Sequence, residues 1–384
     1  MRHHNSVLHA LTKHIPWTVF DDLVEEHEAD ARVRRLTTKT QLIAMLYGQL
    51  ARAASLRELE AGLKSHEVRL YHLGARGVSR STLADANAQR PAAVFTELFA
   101  AMVGLARGGL KRKISEAVRL IDATEIKFGG RGAAWAQGSA RKHAVKAHLV
   151  YDPDADCPLY LDVTAGRVND ITAAKAMPLE PGATYVFDLG YYDYGWWARF
   201  DAAGCRIVTR LKRNTPLAVV AEQAVPTQSN ILSDRIGYLP RRLARNRRNP
   251  MGDAVREICV RNDSGKVLRI MSNDLDAPAA EIAALYRRRW AIELFFRWVK
   301  QTLKIKHLLG RSENAARIQI AVALIAYLLI RLARAATRYS GGILLFARLV
   351  RSNLMHRRPI DRLHQPPPPI PHCSRQLLLE LPQT

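Results

Sequence analysis

The chain has 384 residues, of which 48% are hydrophobic and 24% are charged, a composition typical of a globular protein with two or three domains. Its formal net charge is +23, because 58 lysine and arginine residues oppose 35 aspartate and glutamate residues. A positive excess of this size indicates a polyanionic partner, which is DNA, RNA or an anionic membrane surface. The alternative is a merely basic protein from a proteome rich in arginine.

The cysteines and the apolar segments argue against a disulfide-rich, a membrane-spanning or a secreted protein. The four cysteines are scattered and form no C-x-x-C pair, which argues against a disulfide framework and a zinc site and fits a reducing cytoplasm. The longest apolar run, residues 320–330, is shorter than a membrane span of about 20 residues, so it predicts a buried core helix. The first residues lack the apolar region of a secretory signal. We therefore expect a cytoplasmic, nucleoid-associated protein without a membrane partner.

Residues 1–110 predict a helical N-terminal domain that binds DNA. Leucine, alanine and glutamine recur at helical spacing through residues 36–53. Ser55 precedes Glu58 by three residues, the pattern of a capping box at a helix start. A glycine-containing turn near residue 74 is then followed by a helix that Pro91 stops. Two short helices joined in this way fit a helix-turn-helix reader of DNA or a plain helical hairpin, and the sequence leaves both readings open.

From residue 115 to residue 340 the pattern changes to that of a mixed α/β sheet. Apolar residues alternate or cluster in strand-like segments that are separated by short helices near residue 171 and through Trp196 and Trp197. Three strands followed by helix, strand, helix and strand favour a mixed sheet. The predicted strands cover residues 117–126, 143–151, 159–164, 184–189 and 205–210.

Residues 213–275 interrupt this alternation and predict a β-rich insertion. Two strand-like pieces, residues 255–260 and 267–271, flank an Asn-Asp-Ser-Gly turn typical of a hairpin. A basic run covers residues 241–248, and its residues Arg241, Arg245 and Arg248 are candidates for phosphate contacts, with a solvated loop as the alternative. After the sheet region, residues 341–384 are expected to form a C-terminal tail that includes four consecutive prolines.

The strongest chemical pattern lies on a long helix predicted over residues 278–303. Tyr286, Arg289, Glu293 and Lys300 are separated by three, four and seven residues. At about 100° per residue, all four fall within an arc of roughly 60° on one helix face. Such a face offers one metal-binding carboxylate between cations that can bind phosphate. The simpler alternative is an exposed helix in which Arg289 and Glu293 pair at i,i+4 spacing.

Two aspartates extend this pattern. Asp122 lies within an apolar strand, where an unpaired carboxylate is costly and requires a cation or hydrogen-bond donors. Asp188 ends another apolar strand just before Gly190. Strand-end carboxylates beside a helix glutamate form a hard oxygen site suited to Mg²⁺ or Mn²⁺. The alternative for each aspartate is a structural cap or turn. Asp193 competes for the second position, but it lies beyond the strand, so we favour Asp188.

Together these motifs resemble the bacterial DDE transposases of the insertion-sequence-four group over roughly residues 35–340. The motifs are Asp122 in D-A-T, Asp188 in D-L-G-Y, and Y-x2-R-x3-E-x6-K from Tyr286 to Lys300. The resemblance implies a ribonuclease-H-like catalytic domain in which Asp122, Asp188 and Glu293 bind two Mg²⁺ or Mn²⁺ ions and catalyse phosphoryl transfer. It also implies that Tyr286, Arg289 and Lys300 grip DNA phosphates.

The same resemblance implies cut-and-paste transposition of an insertion sequence by nicking, hairpin formation and strand transfer. The expected partners are double-stranded DNA, both at terminal inverted repeats and at the target, and a second copy of the chain in a homodimer that bridges two DNA ends. Some family members stack a flipped base on an aromatic residue of the insertion. Here the only aromatic residue in 213–275 is Tyr238, so the stacking residue is unassigned.

Two other functions remain open at this stage. One is a catalytically inactive, transposase-derived protein that binds DNA, and the other is a general nuclease with the same core. The presence of all three acidic residues disfavours the first. The Tyr286-to-Lys300 motif disfavours the second, because a nuclease without end preference has no need of it.

Overall fold

The structure is a computed structural model that describes residues 5–31, 33–107, 116–127, 134–136, 143–225, 227, 229–242, 247–303, 305, 308–337 and 339–366. Within this part of the chain, the N-terminal region up to Arg107 is built from helices, as the sequence predicts. These helices are α1 (Val7–Thr12), α2 (Trp17–Glu26), α3 (Thr38–Ala51), α4 (Leu56–Ser65), α5 (Glu67–Leu70), α6 (Arg80–Gln89) and α7 (Ala93–Arg107).

Side-chain caps set the starts of the N-terminal helices. The Ser55 hydroxyl accepts a hydrogen bond from the backbone N–H of Glu58 at 3.1 Å, which confirms the helix start predicted there. The Glu58 carboxylate in turn accepts from the backbone N–H of Ala54 at 2.7 Å. Ser79 caps α6 in the same manner, and α6 ends at Gln89, with Arg90 as its C-cap directly before Pro91. Helices α4 and α6 pack together, which suits either a DNA-reading motif or a helical hairpin.

Among the residues that the structure describes, a mixed sheet of nine strands follows, in the order β3-β2-β1-β4-β5-β9-β8-β7-β6. Strand β1 lies near its centre, antiparallel to β2 and parallel to β4. The strands are β1 (Val118–Lys127), β2 (Ala144–Asp152), β3 (Cys157–Ala165), β4 (Thr184–Val186), β5 (Arg206–Arg210), β6 (Ala218–Glu222), β7 (Ile231–Tyr238), β8 (Val255–Arg261) and β9 (Val267–Ser272). Two helices join the central strands, α8 (Asp170–Ala174) and α9 (Tyr194–Ala202).

The segment predicted as a β-rich insertion extends the same sheet. Strand β9 pairs antiparallel with β5, and β8, β7 and β6 follow outward. The sequence predicts β8, β9 and the turn between them, and the structure confirms that hairpin. The sequence does not predict strands β6 and β7. Every residue of β6 is exposed, so the strand lacks the apolar alternation from which a strand is recognised.

The remaining helices cover the sheet and the N-terminal region. They are α10 (Ala279–Arg288), α11 (Trp290–Thr302), α12 (Glu313–Ala336) and α13 (Ile343–Ser352). Helix α12 is long and apolar enough to cross a membrane, but it is buried along most of its length between α3, α6, α7 and α13. It is therefore the core helix that the run at residues 320–330 predicts. Its packing gives the N-terminal helices and the sheet region one continuous hydrophobic core.

The segment expected to be a tail from residue 341 carries α13. This helix packs against α3, α11 and α12, with Phe346 and Val350 buried. The buried residues Phe346, Ala347 and Val350 recur at helical spacing, which explains why the segment folds back onto the core instead of extending from it. The run of prolines beyond residue 366 lies outside the described residues.

Candidate active site

Sheet register brings the two predicted aspartates side by side. Leu120 of β1 pairs with Val186 of β4 in a parallel ladder, and each aspartate lies two residues further along the chain. Neighbouring strands lie about 4.8 Å apart, so Asp122, in the middle of β1, lies beside Asp188, just past the carboxyl end of β4. Beyond β4 the chain forms a short 3₁₀ turn, and Asp188 caps it by accepting from the backbone N–H of Gly190 at 2.8 Å.

Helix α11 brings Glu293 over β1. Its apolar flank packs between the sheet and α12, with the Phe295 ring 4.8 Å from the Tyr151 ring and 5.0 Å from the Tyr327 ring. This packing fixes the rotation of α11 about its axis. Glu293, in the first turn of the helix, therefore points to the same edge of the sheet as Asp122.

The helix predicted over residues 278–303 is two helices. Its continuity breaks at Arg289, whose backbone N–H bonds to the carbonyl of Tyr286 at 3.1 Å instead of the carbonyl four residues back. Arg289 keeps right-handed helical angles, so apolar periodicity continues across the break and gives no sign of it in the sequence. The prediction of one uninterrupted helix is therefore wrong at this residue.

Arg289 is the cation that links two of the acidic residues. Its Nη2 atom lies 2.5 Å from Oε1 of Glu293, and its Nη1 atom lies 3.8 Å from Oδ2 of Asp122. All three side chains are largely shielded from solvent, with exposed fractions of 17% for Arg289, 31% for Glu293 and 19% for Asp122. The i,i+4 pair expected from the sequence is thus present, but it lies inside the site and not on an exposed helix face.

Burial changes the ionisation of Asp122. Loss of solvent raises the pKa of this carboxyl from 3.8 to about 7. The backbone N–H of Ala123 and the charge of Arg289 act against this rise, while Asp188 and Glu293 add to it. A cation bound next to Asp122 would therefore favour its ionised form and lower its pKa again.

The four residues of the helix motif divide between two adjoining cavities. Glu293 and Lys300 line a cavity of about 370 Å³ together with Asp122, Thr124 and Arg297. Tyr286 and Arg289 line a second one of about 330 Å³, whose other wall comes from the insertion. The residues of that second cavity include Trp290, Asn230, Asn262, Asp263 and Ile270.

Tyr286 is the most buried member of the motif, with 8% of its surface exposed. Burial raises the pKa of its hydroxyl, while the nearby cations Arg289 and Arg210 act against the rise. The guanidinium carbon of Arg289 lies 6.0 Å from the centre of the Tyr286 ring. Arg210, at the end of β5, is a site neighbour that sequence reasoning did not select.

The basic run of the insertion lies in the connection between β7 and β8. Arg241 and Arg248 are exposed there, and Arg242 forms an isolated β-bridge with Arg248. Arg245 lies outside the described residues. The arrangement presents guanidinium groups to solvent at the outer part of the sheet.

Asp193, the competing candidate, has a structural role. It caps α9 by accepting from the backbone N–H of Trp196 at 2.8 Å, and its other oxygen pairs with Lys175 at 2.7 Å. A carboxylate committed to a cap and an ion pair has little capacity left for a further ligand. The choice of Asp188 over Asp193 agrees with this geometry.

Comparison with known proteins identifies the family. A sequence model described as a transposase DDE domain matches residues 114–329, more than half of the chain. The chain belongs to the DDE transposase family. A second model, described as a domain of unknown function, matches residues 3–76, which include α1 to α5.

Related transposases cover most of the chain. The protein named as transposase y4zB from Sinorhizobium fredii is 41% identical over 293 residues, which are 76% of this chain and 82% of the relative. The transposase of insertion sequence element IS5377 from Geobacillus stearothermophilus is 29% identical over 247 residues, 64% of each chain. The transposase of element IS4SA from Synechocystis is 41% identical over 66 residues, 17% of this chain and 20% of the relative.

The fold of this transposase is also found in a solved structure. The piggyBac transposase, seen in a synaptic complex with hairpin DNA, superimposes with a TM-score of 0.50 at 11% sequence identity. The match covers 95% of this chain and 83% of that one. At this identity the likeness establishes the mixed α/β fold with its large sheet, and the chemistry must be argued from the residues of the site.

Transposases with this domain generally use divalent metal ions. Among the residues that the structure describes, no group of three or more His, Cys, Asp or Glu side chains is close enough to hold one ion. Arg289 lies between Asp122 and Glu293, where it supplies positive charge. The donor set is nevertheless suited to such an ion, because it consists of carboxylate oxygens around a largely buried aspartate, and hard divalent cations prefer oxygen ligands.

Proposed function

We propose that this transposase catalyses cut-and-paste transposition of an insertion sequence by cutting and rejoining DNA at the terminal inverted repeats. The observation that carries the proposal is the convergence of Asp122, Asp188 and Glu293 at one edge of the sheet, with Arg289 between the first and the last. We further propose that the chain belongs to the insertion-sequence-four group, on the strength of the motif from Tyr286 to Lys300.

In this proposal Asp122, Asp188 and Glu293 hold two Mg²⁺ or Mn²⁺ ions. Bound there, the ions would activate a water molecule or a 3′-hydroxyl group and stabilise the leaving oxygen of an in-line phosphoryl transfer. Asp122 would contribute to both ion sites, because it lies beside β4, which leads to Asp188, and lines a cavity with Glu293 of α11.

Arg289 then has two alternative partners. In the structure its guanidinium balances Glu293 and Asp122. When those carboxylates bind cations, the guanidinium becomes available for a DNA phosphate in the adjoining cavity, which it already lines beside Tyr286. Lys300, on the wall of the first cavity, lies where a second phosphate would enter. Tyr286 supports Arg289 from below and completes the phosphate-binding set.

DNA is the proposed partner on three grounds. The chain carries a net charge of +23, its relatives are transposases, and its structural neighbour was captured with hairpin DNA. We assign end recognition to residues 1–110, strand chemistry to residues 115–340, and backbone contacts to Arg241, Arg245 and Arg248 of the insertion. A homodimer that bridges two DNA ends in the bacterial cytoplasm, at the nucleoid, completes the proposal.

Cleavage of a labelled DNA that carries the flanking inverted repeats tests this function. Wild-type protein and Glu293→Gln are compared in Mg²⁺ and in EDTA, with DNA binding measured in parallel. We expect metal-dependent cuts at the element boundary that the substitution abolishes while binding persists. Binding without any cut supports an inactive DNA-binding protein instead. Cuts that ignore the repeats indicate a general nuclease, and cuts that survive in the variant mean that Glu293 is not catalytic.

A further inference from the structure

A buried phenol faces the carboxylates of the active site. Tyr191 follows Asp188 by three residues and is 1% exposed. Its ring is held in the core, stacked on Trp196 at 5.9 Å and edge-on to Phe187 at 6.1 Å. Within the described part of the chain its hydroxyl has no hydrogen-bond partner. An unpartnered buried hydroxyl destabilises a fold, so its presence calls for a ligand that the folded chain alone does not supply.

The surroundings of this hydroxyl are acidic. Burial raises the pKa of Tyr191 well above its usual range, and the charges of Asp122, Asp170 and Asp188 raise it further. The hydroxyl thus lies among two carboxylates of the proposed metal site and a third, Asp170, which the sequence did not single out. A neutral hydroxyl can donate to an oxygen and accept from a water molecule, which is what the ligands around a hydrated cation require.

Asp170 lies against the turn that follows Asp188. A Cβ atom added to Gly190 would lie 3.0 Å from Oδ1 of Asp188 and 3.7 Å from Oδ2 of Asp170, so these two oxygens are less than about 7 Å apart. One hydrated divalent ion can bridge such a span, since Mg²⁺ keeps several of its waters when bound by carboxylates. Gly190 carries no side chain, which leaves the space between the two carboxylates open.

A second buried polar atom points to the same place. Asp170 is fixed by Lys146, whose Nζ atom lies 2.9 Å from Oδ1. The fully buried His148 bonds to Thr164 through Nε2 at 2.8 Å, but its Nδ1 atom has no hydrogen-bond partner in the described residues and lies 4.0 Å from the same oxygen of Asp170. Two orphaned polar atoms near Asp170, the Tyr191 hydroxyl and His148 Nδ1, indicate that a polar ligand belongs beside this carboxylate.

We propose that the Tyr191 hydroxyl and the Asp170 carboxylate bind the water shell of a divalent cation held at Asp188. They are positioning residues for the ion and do not touch the reacting phosphate. Partners of this outer layer orient the inner ligands, and their loss weakens metal binding by 10- to 100-fold in typical metal sites. The proposal rests on the metal-dependent function argued above, but it concerns residues that lie outside the three acidic positions.

The test measures Mn²⁺ binding to the full-length chain in the absence of DNA, by the electron paramagnetic resonance signal of free Mn²⁺. Tyr191→Phe removes only the orphaned hydroxyl. Tyr185→Phe is its matched control, because Tyr185 is buried in the same core and its hydroxyl accepts from the backbone N–H of Glu180 at 2.7 Å. Asp170→Asn is paired with Asp193→Asn, since both aspartates have 29% of the side chain exposed and both pair with a lysine.

We expect Tyr191→Phe and Asp170→Asn each to weaken Mn²⁺ binding on the order of tenfold. The two controls should bind Mn²⁺ as the wild type does. Without metal, the melting temperature of Tyr191→Phe should equal or exceed that of the wild type, whereas Tyr185→Phe should melt lower because it loses a hydrogen bond. This opposite movement of stability and metal affinity is an effect that a merely structural tyrosine cannot produce.

Asp188→Asn distinguishes an error in the assigned metal site from an error in the role given to Tyr191 and Asp170. If it leaves Mn²⁺ binding unchanged, the metal site itself is wrongly assigned. If it weakens binding while Tyr191→Phe binds normally, the three acidic residues stand and the outer layer is overturned. The tyrosine variant decides the matter even if Asp170→Asn fails to fold.

Discussion

The Nη2 atom of Arg289 lies 2.5 Å from Oε1 of Glu293. This contact places the positive charge of a side chain at the position where the proposed function requires divalent cations. Helix α10 ends and α11 begins at Arg289, so its side chain projects from an irregular turn and not from a regular helix face. The guanidinium offsets part of the negative charge of the site until, in the proposed function, cations bind the carboxylates. Arg289 is therefore both a temporary counter-ion and a phosphate ligand in the proposed function.

Removal of Arg289 should reduce DNA cleavage far more than removal of its neighbour. We expect Arg289→Ala to lower the cleavage rate on the order of 100-fold, because one positioned donor to developing phosphate charge is lost. Arg288→Ala is the control, since Arg288 pairs with Asp154 at 2.5 Å, away from the acidic residues. Single-turnover cleavage at saturating Mg²⁺ measures both variants. Equal losses in the two would show that the effect comes from general positive charge.

The ionisation of Asp122 predicts how stability depends on pH. The pKa of Asp122 rises from 3.8 to about 7 in the folded chain, so the folded state keeps a proton that the unfolded chain releases above about pH 4. Without metal, stability is therefore lost as the pH rises from about 4 to about 7. Asp122→Asn abolishes this loss and should be more stable than the wild type at about pH 8, by up to about 4 kcal/mol.

Urea unfolding in EDTA at several pH values measures this difference. The advantage of Asp122→Asn should shrink toward zero as the pH approaches about 4, where both states of the wild type are protonated. Added Mn²⁺ should stabilise the wild type and leave the variant unchanged, because a ligand that binds only the folded state adds to its stability. A stability difference that is constant with pH would contradict the burial of an acid at this position.

A buried ion pair holds the insertion to the helix that carries the active-site motif. Arg256 on β8 contacts both oxygens of Asp234 on β7, at 2.8 and 2.6 Å, with 7% and 2% of the two side chains exposed. Its Nη1 atom also donates to the carbonyls of Leu275 and Ala277, just before α10. The pair therefore links the outer strands to the start of α10.

Breaking this pair should strongly destabilise the chain. We expect Asp234→Ala to lower the free energy of unfolding by about 3 to 5 kcal/mol, because Arg256 is left buried without its counter-ion. Glu222→Ala removes an exposed partner of Arg235 in the same insertion and should change stability by less than about 1 kcal/mol. Chemical denaturation compares the two. Similar small effects in both would show that water reaches Arg256.

The exposed arginines of the insertion should contribute to DNA affinity through counterion release. The double variant Arg241→Ala, Arg248→Ala should reduce the slope of log affinity against log salt by about 2, since each phosphate contact contributes about 0.9. Arg357→Ala serves as the control, because Arg357 is exposed beyond α13. Fluorescence anisotropy at several salt concentrations measures the slopes. An unchanged slope in the double variant would assign the basic run to the solvated loop considered at the outset.

The sequence predicts the central strands because buried strands are apolar and their ends carry turn residues. Asp122 and Asp188 could be chosen for the same reason, since a carboxylate next to an apolar strand is conspicuous. The pairing of β1 with β4 that joins them is a long-range contact, and no local pattern reports it. The sequence also gives no sign of the helix break at Arg289, because this residue keeps right-handed helical angles and the apolar periodicity continues.

Tyr191 and Asp170 show a different limit of sequence reasoning. A tyrosine among aromatic residues is ordinarily core, and its ring is core here. Only the structure shows that the hydroxyl lacks a partner and that three aspartates from separate segments surround it. Strand β6 was not predicted because all of its residues are exposed and it lies at the edge of the sheet, so no buried face marks it in the sequence.

The position of α12 has a consequence for synthesis of the protein. Helices α3, α6 and α7 leave the ribosome about 200 residues before α12, against which they pack. During that interval the faces that pack on α12 lack that partner, so the N-terminal region completes its core only when translation is nearly finished. A chain that ends before Glu313 never acquires that core, and prematurely terminated copies should be removed by proteolysis before they can occupy the DNA ends.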